Sequence, residues 1–150
     1  MKRVFSSLML GSWLCLAISS SLSSANAGQM TFQVQLIWGT NGDKPNDPKL
    51  LEVDPKLRAK LMDVLQWKNY YEVASKPLAV ADSSSNKLRL SDKCEIEVKN
   101  LGAAKVEIQL IGEGNPYAKV TQKAVPGEPI VIGSHDKNRT AWLAVVTPKK

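Results

Sequence analysis

The sequence is poor in the residues that most often carry chemistry. Cysteine occurs twice, at Cys15 and Cys94, and histidine once, at His135, in 150 residues. That excludes a disulfide scaffold and leaves too few ligands for a zinc site built from cysteine and histidine. No G-x-S-x-G elbow occurs, and Gly112-Glu113-Gly114 lacks both the third glycine and the following helix of a phosphate-cradling loop. Aromatic residues make up 6% of the chain, so any ring-lined binding surface has few candidates. What is present is ordinary for a globular protein: 43% hydrophobic and 23% charged residues, which argues against a disordered tail. The length suits one ordinary domain.

No hydrophobic run reaches the roughly 20 residues that cross a bilayer. The longest, residues 4–18, follows Lys2 and Arg3 and leads through serines to Ala25-Asn26-Ala27. A short positive start, an apolar stretch and a small-x-small site together predict a signal peptide cut after Ala27. Leu14 before Cys15 is too bulky for the lipoprotein variant. Cleavage leaves residues 28–150, which is 123 residues. The net charge of +6 falls to +4 as Lys2 and Arg3 depart, and Cys94 becomes the sole thiol. An exported chain with one thiol has no internal disulfide and relies on its core. Residues 28–150 are expected to form a single domain.

Residues 31–38 set Phe32, Val34, Leu36 and Trp38 in alternation with Thr31, Gln33 and Gln35, the pattern of a strand with one buried face. Residues 39–49 gather Gly, Asn, Asp and Pro and predict a loop. Asp54-Pro55 has the form of an N-cap followed by proline at the first helical position. Leu57, Leu61, Val64 and Leu65 then fall at helical spacing, predicting an amphipathic helix over about 55–68.

Beyond it the helical period is lost. Short extended segments are expected at 70–73 and 78–81, with a serine-rich turn at 82–86. Leu88, Leu90, Cys94, Ile96 and Val98 alternate with charged residues, as do Val106, Ile108 and Leu110 after the turn Asn100-Leu101-Gly102. Further strands are expected at 117–123 and 130–132, and residues 133–139 are polar loop. Residues 141–146, apolar on both parities, predict a strand buried on both faces. The expected fold class is α+β, with one amphipathic helix packed on a largely antiparallel sheet of short strands.

Among candidate chemical groups, Cys94 shares parity with Ile96 and Val98 and is expected to be a small core hydrophobe. Ser134-His135-Asp136 are adjacent in sequence, which forbids the relay geometry of a triad, so His135 is expected to be a solvated loop residue. Residues 41–52 have the length of an EF-hand loop, with Asn41, Asp43 and Asp47 at ligand positions and Glu52 last. Pro45 and Asn46 break that pattern, leaving a polar turn with at most weak cation binding. No metal and no cofactor is expected.

Lys56, Arg58 and Lys60 lie in the first turns of the helix, whose dipole favours anions, and are candidates to receive a phosphate or carboxylate. Trp67, Tyr70 and Tyr71, at the helix exit, are candidates for an exposed aromatic surface, whereas Phe32, Trp38 and Trp142 have core parity. The Asn138-Arg139-Thr140 sequon carries little meaning behind a bacterial-looking signal. The modest charge and interleaved acids argue against nucleic acid as a partner.

Residues 57–71, a leucine-rich helix running into a tyrosine segment, and residues 130–148, closing on Trp-Leu-Ala-Val-Val-Thr-Pro, resemble uncharacterised small secreted bacterial domains. That resemblance implies export and α+β architecture, and it carries no established activity. The combined expectation is a non-enzymatic binding or assembly module of the cell envelope, periplasmic or extracellular. Its partner would be another envelope protein, recruited at a sheet edge. The alternatives are an envelope hydrolase using a carboxylate pair and an anion or glycan binder using the helix N-terminus.

Overall fold

Alternation at residues 31–38 marks the centre of the molecule. In the computed structural model, which describes residues 28–135 and 139–150, these residues lie in β1 (Met30–Thr40). The signal sequence expected over residues 1–27 lies outside the described residues, as does the centre of the expected 133–139 loop. After β1 come β2 (Leu51–Glu52), α1 (Pro55–Val64), β3 (Asn69–Val80) and β4 (Ser85–Ser91). They are followed by β5 (Cys94–Asn100), β6 (Lys105–Gly112), β7 (Asn115–Lys123), β8 (Ile130–His135) and β9 (Thr140–Pro148).

The strands form two antiparallel sheets, ordered β2-β3-β1-β9-β8 and β4-β5-β6-β7. The described chain is therefore mostly β, and its single ten-residue helix makes α+β only a loose description. This corrects the expectation of one sheet. Alternation says that a strand has a buried face, but two separate sheets supply such faces as well as one does.

The main core lies between the sheets. Phe32, Val34 and Leu36 of β1, with Ala144 and Val146 of β9, meet Ile96, Val98, Val106 and Ile108 of the four-stranded sheet. Each of the valine, leucine, isoleucine and phenylalanine side chains, fully withdrawn from water, contributes about 1.5–3 kcal/mol. The opposite parity of β9 is buried too, as its sequence predicted. Ala141, Leu143 and Val145 join Ile37, Tyr70 and the α1 residues Leu57 and Leu61 in a second apolar cluster.

The helix begins where the sequence placed it. Asp54 Oδ1 accepts hydrogen bonds from the Lys56 and Leu57 amides at 3.1 Å each. It stops at Val64, four residues before the expected end, because Leu65 turns extended while its amide closes the last turn on Leu61 O. The extended exit brings Trp67 against β1, where a Cβ at Gly39 would sit 3.0 Å from the indole Cδ1. Any larger residue there would press on the indole and make it shift by a few tenths of an ångström.

The two short segments expected at 70–73 and 78–81 are one strand. β3 runs through Ser75-Lys76-Pro77, with a bulge at Val73, because Leu36 and Ile37 of β1 face Ala74 and Glu72. Pro77 is tolerated there since β2 pairs with β3 only at Glu72 and Tyr71, so β3 has an open side at the proline. β2 itself, two residues long, was not foreseen. The β6–β7 hairpin turns on Glu113 and Gly114, both in the left-handed region at φ 49° and 80°, as a tight primed turn demands.

Candidate functional site

The three basic residues of the helix do not act as one group. Lys56 and Lys60, four residues apart, line a groove of about 240 Å³ beside Gln33, Gln35 and Thr147. Arg58, rotated some 200° around the helix, faces another hollow and donates to Lys68 O at 3.2 Å. The structure thus brings two of the three together and turns the third away. The Asp54 carboxylate already occupies the first helical amides, so an incoming anion would meet a negative group there.

The aromatic candidates are also redistributed. Tyr70 and Tyr71 are buried and Trp67 is half-buried, so of the three candidates for an exposed aromatic surface only Trp67 keeps part of its ring accessible, and packing accounts for the other two. The cause is the early helix end, which folds this segment back as the start of β3. Burial pushes the Tyr70 phenol up, the nearby Trp67 backbone offsets this only in part, and the buried hydroxyl finds no hydrogen-bond partner among the described residues. The exposed rings are instead Tyr117, at 62%, and Trp142, at 39%. Trp142 has core parity, but it pairs with Trp38 in a row past the last residues of the inter-sheet core. Trp38 in turn lies 6.0 Å from Tyr71, ring centre to ring centre. Sequence parity identified the face of these rings; only sheet length decides whether anything covers it.

The hollow that Arg58 faces holds about 490 Å³ and is bounded by Glu52, Val53, Met62, Tyr70 and Tyr71. Glu52 is its only carboxylate, and Asp54 is the only one lining the Lys56–Lys60 groove, so neither hollow offers a carboxylate pair. In the 41–52 loop, Asn41 Oδ1 accepts from the Lys68 amide and Asp47 Oδ1 from the Lys49 amide. Among the described residues no cluster of three metal-binding side chains occurs. The side chain of His135 lies outside the described residues.

Cys94 is half-buried and packs against the main core from the first position of β5. Burial pushes its thiol up, and the neighbouring Glu95 carboxylate adds to the shift. Deprotonation is therefore disfavoured at neutral pH. Iodoacetamide is expected to label the folded protein at pH 7 several-fold more slowly than the unfolded chain, with the rate rising into the alkaline range. Equal rates in native and denaturing buffer, followed by mass spectrometry, would refute this placement.

The two long sides of the paired sheets differ. On one side, β3 and β4 are tied by side chains: Lys76 Nζ donates to Arg89 O at 2.6 Å, and Asn86 Nδ2 donates to Ala79 O at 3.0 Å. On the other side β7, nine residues long, pairs only with β6. No hydrogen bond joins β7 to β8 among the described residues. In an antiparallel edge strand, alternate residues direct both amide and carbonyl outward. β7 therefore presents a row of free backbone donors and acceptors, with Ala118 and Val120 packed inward and Lys119, Thr121 and Lys123 exposed.

These features define a two-sheet antiparallel β protein with one helix, in which β7 is the longest terminal strand with no backbone partner on its outer side. No protein-family model matches the chain, and no curated protein or solved structure is similar to it. Among the described residues no helix is long and apolar enough to cross a membrane.

Proposed function

We propose that this chain is an exported binding or assembly module of the bacterial cell envelope that recruits another envelope protein by strand addition at β7. The observation that carries the reading is the contrast between the two sides. The β3–β4 side spends Lys76 and Asn86 on backbone carbonyls, whereas β7 leaves its outer side unpaired over nine residues. An extended segment laid along β7 gains main-chain hydrogen bonds where β8, which borders the same side, leaves room for it. Pro116 and the exposed lysines of β7 are the devices by which edge strands discourage indiscriminate pairing, so the partner has to be a matching one. The export half of the proposal rests on Lys2, Arg3, the apolar stretch and Ala25-Asn26-Ala27.

The test places a photo-crosslinking amino acid at Thr121 on β7 or at Lys87 on β4, in the full chain expressed in its native envelope. Discrete adducts are expected from position 121 and none from position 87. Adducts from position 87 alone, or equal adducts from both, would overturn β7 as the docking edge.

A further inference from the structure

The charge around β7 specifies what its partner looks like. On the solvent face, Lys105 of β6 stands directly opposite Lys123 of β7, and Lys99 of β5 stands opposite Glu107 of β6. Glu107 makes its ion pair with Lys119 at 3.3 Å. Among the described residues Lys99, Lys105 and Lys123 have no carboxylate within ion-pair distance. Four lysines thus surround one glutamate at the edge end of the sheet. Like charges directly opposite each other on a ladder are destabilising. The rest of this face is matched: Lys87 pairs with Glu97, and Arg89 with Glu95 at 2.9 Å. The unbalanced charge is confined to the corner that β7 borders.

We infer that the β7 edge accepts an extended acidic segment whose carboxylates, four residues apart on one face, sit opposite Lys119 and Lys123. Lys119 and Lys123 share a face with Thr121 between them, so a paired strand presents residues i and i+4 to the two lysines. Residues of the partner's other parity lie beside Ala118 and Val120, which pack inward, so they are apolar. The matching segment alternates acidic or hydroxyl residues with β-branched ones. A second copy of this chain is a poor occupant, because antiparallel overlap of β7 with itself about its centre puts Lys119 opposite Lys119. This inference rests on β7 being the docking edge, and the experiment separates the two.

Three labelled nine-residue peptides serve as probes against the mature protein. Each alternates valine with threonine, and each carries glutamate, glutamine or lysine at the i and i+4 positions of the threonine face. Fluorescence anisotropy gives affinity, and amide hydrogen exchange of residues 117–123 gives the site. The glutamate peptide is expected to bind roughly three- to tenfold more tightly than the glutamine peptide, the yield of two exposed ion pairs. That advantage should vanish at about 0.5 M salt. In the double variant Lys119→Glu/Lys123→Glu the preference should reverse toward the lysine peptide, with the fold verified by circular dichroism. Equal affinity of the glutamate and glutamine peptides, both protecting β7 amides, overturns the acidic preference while leaving the edge in place. A glutamate preference without protection of β7 overturns the edge itself, and so does failure of all three peptides to bind.

Discussion

Replacing Phe32 by alanine is expected to lower the stability of the protein by about 3–5 kcal/mol, the cost of emptying a packed aromatic site. Phe32 is 1% exposed and lies in the core between the two sheets, with Val34 and Leu36 along β1 and Pro148 opposite it on β9. Neither sheet can close over the void without bending, because each is held by ladder hydrogen bonds along its length. For a chain of this size the loss corresponds to a fall in Tm on the order of 10 °C. Met62, half exposed on α1, provides the comparison: Met62→Ala should change stability by less than about 0.5 kcal/mol. Urea titration of both variants checks the pair. A Phe32→Ala variant as stable as the Met62→Ala variant would mean that the two sheets do not enclose residue 32.

The second large effect belongs to Asn100, one of two buried polar residues in the described chain. Its Nδ2 donates to Gly28 O at 2.7 Å and to Val80 O at 3.5 Å, while its Oδ1 accepts from the Gly102 amide at 3.0 Å. One side chain therefore joins the segment before β1, the end of β3 and the β5–β6 turn. Asn100→Ala strands those groups and should cost about 1–3 kcal/mol at any pH. Asn100→Asp should cost more at pH 7, about 3 kcal/mol or above, because a buried carboxylate would face two carbonyl oxygens.

The sign of the pH dependence follows from the protonation states. In the folded variant the neutral carboxyl, which can donate to Gly28 O, is favoured, so its pKa lies above the unfolded value of about 3.9. A group raised on folding contributes its full stability below the unfolded pKa and loses it as pH rises toward the folded one. The deficit of Asn100→Asp relative to the native protein should therefore shrink as pH falls from 7 toward 4, while that of Asn100→Ala stays constant. A deficit that grows on acidification would show that the carbonyls do not face the side chain.

Some of this architecture was legible locally. Asp54-Pro55 announced the helix start, and the Asp54 carboxylate occupies the two amides that an N-cap serves. The double-parity apolar run of residues 141–146 announced a strand covered on both faces, and its two sets of side chains enter different clusters. Alternation in β1, β5 and β6 picked out Phe32, Ile96, Val98, Val106 and Ile108 as core residues. In each case the signal is a relation between residues a few positions apart, which is where capping and face alternation act.

The open edge was less legible. An antiparallel pattern implies that some strand lies at an edge, but nothing near residues 115–123 says that β7 has one neighbour rather than two. Its lysines alternate as they would in any solvated strand. Trp142 was misplaced for the same reason: parity aims it at the inter-sheet space, and the core ends before its row. Tyr70 and Tyr71 lie in the extended segment expected at 70–73, but only the pairing of β3 with β1 decides that their rings are covered.

By itself the sequence determined the helix start, the face of each strand and the absence of a cysteine framework. Each of these depends on composition or on chain neighbours. Tertiary structure alone decided that the strands divide into two sheets, that the β3–β4 side is tied while β7 stays open, and that Lys99, Lys105, Lys119 and Lys123 surround one glutamate. Strand order and cross-strand register bring together residues distant in the chain, and a pattern of period two carries no record of which strand lies alongside.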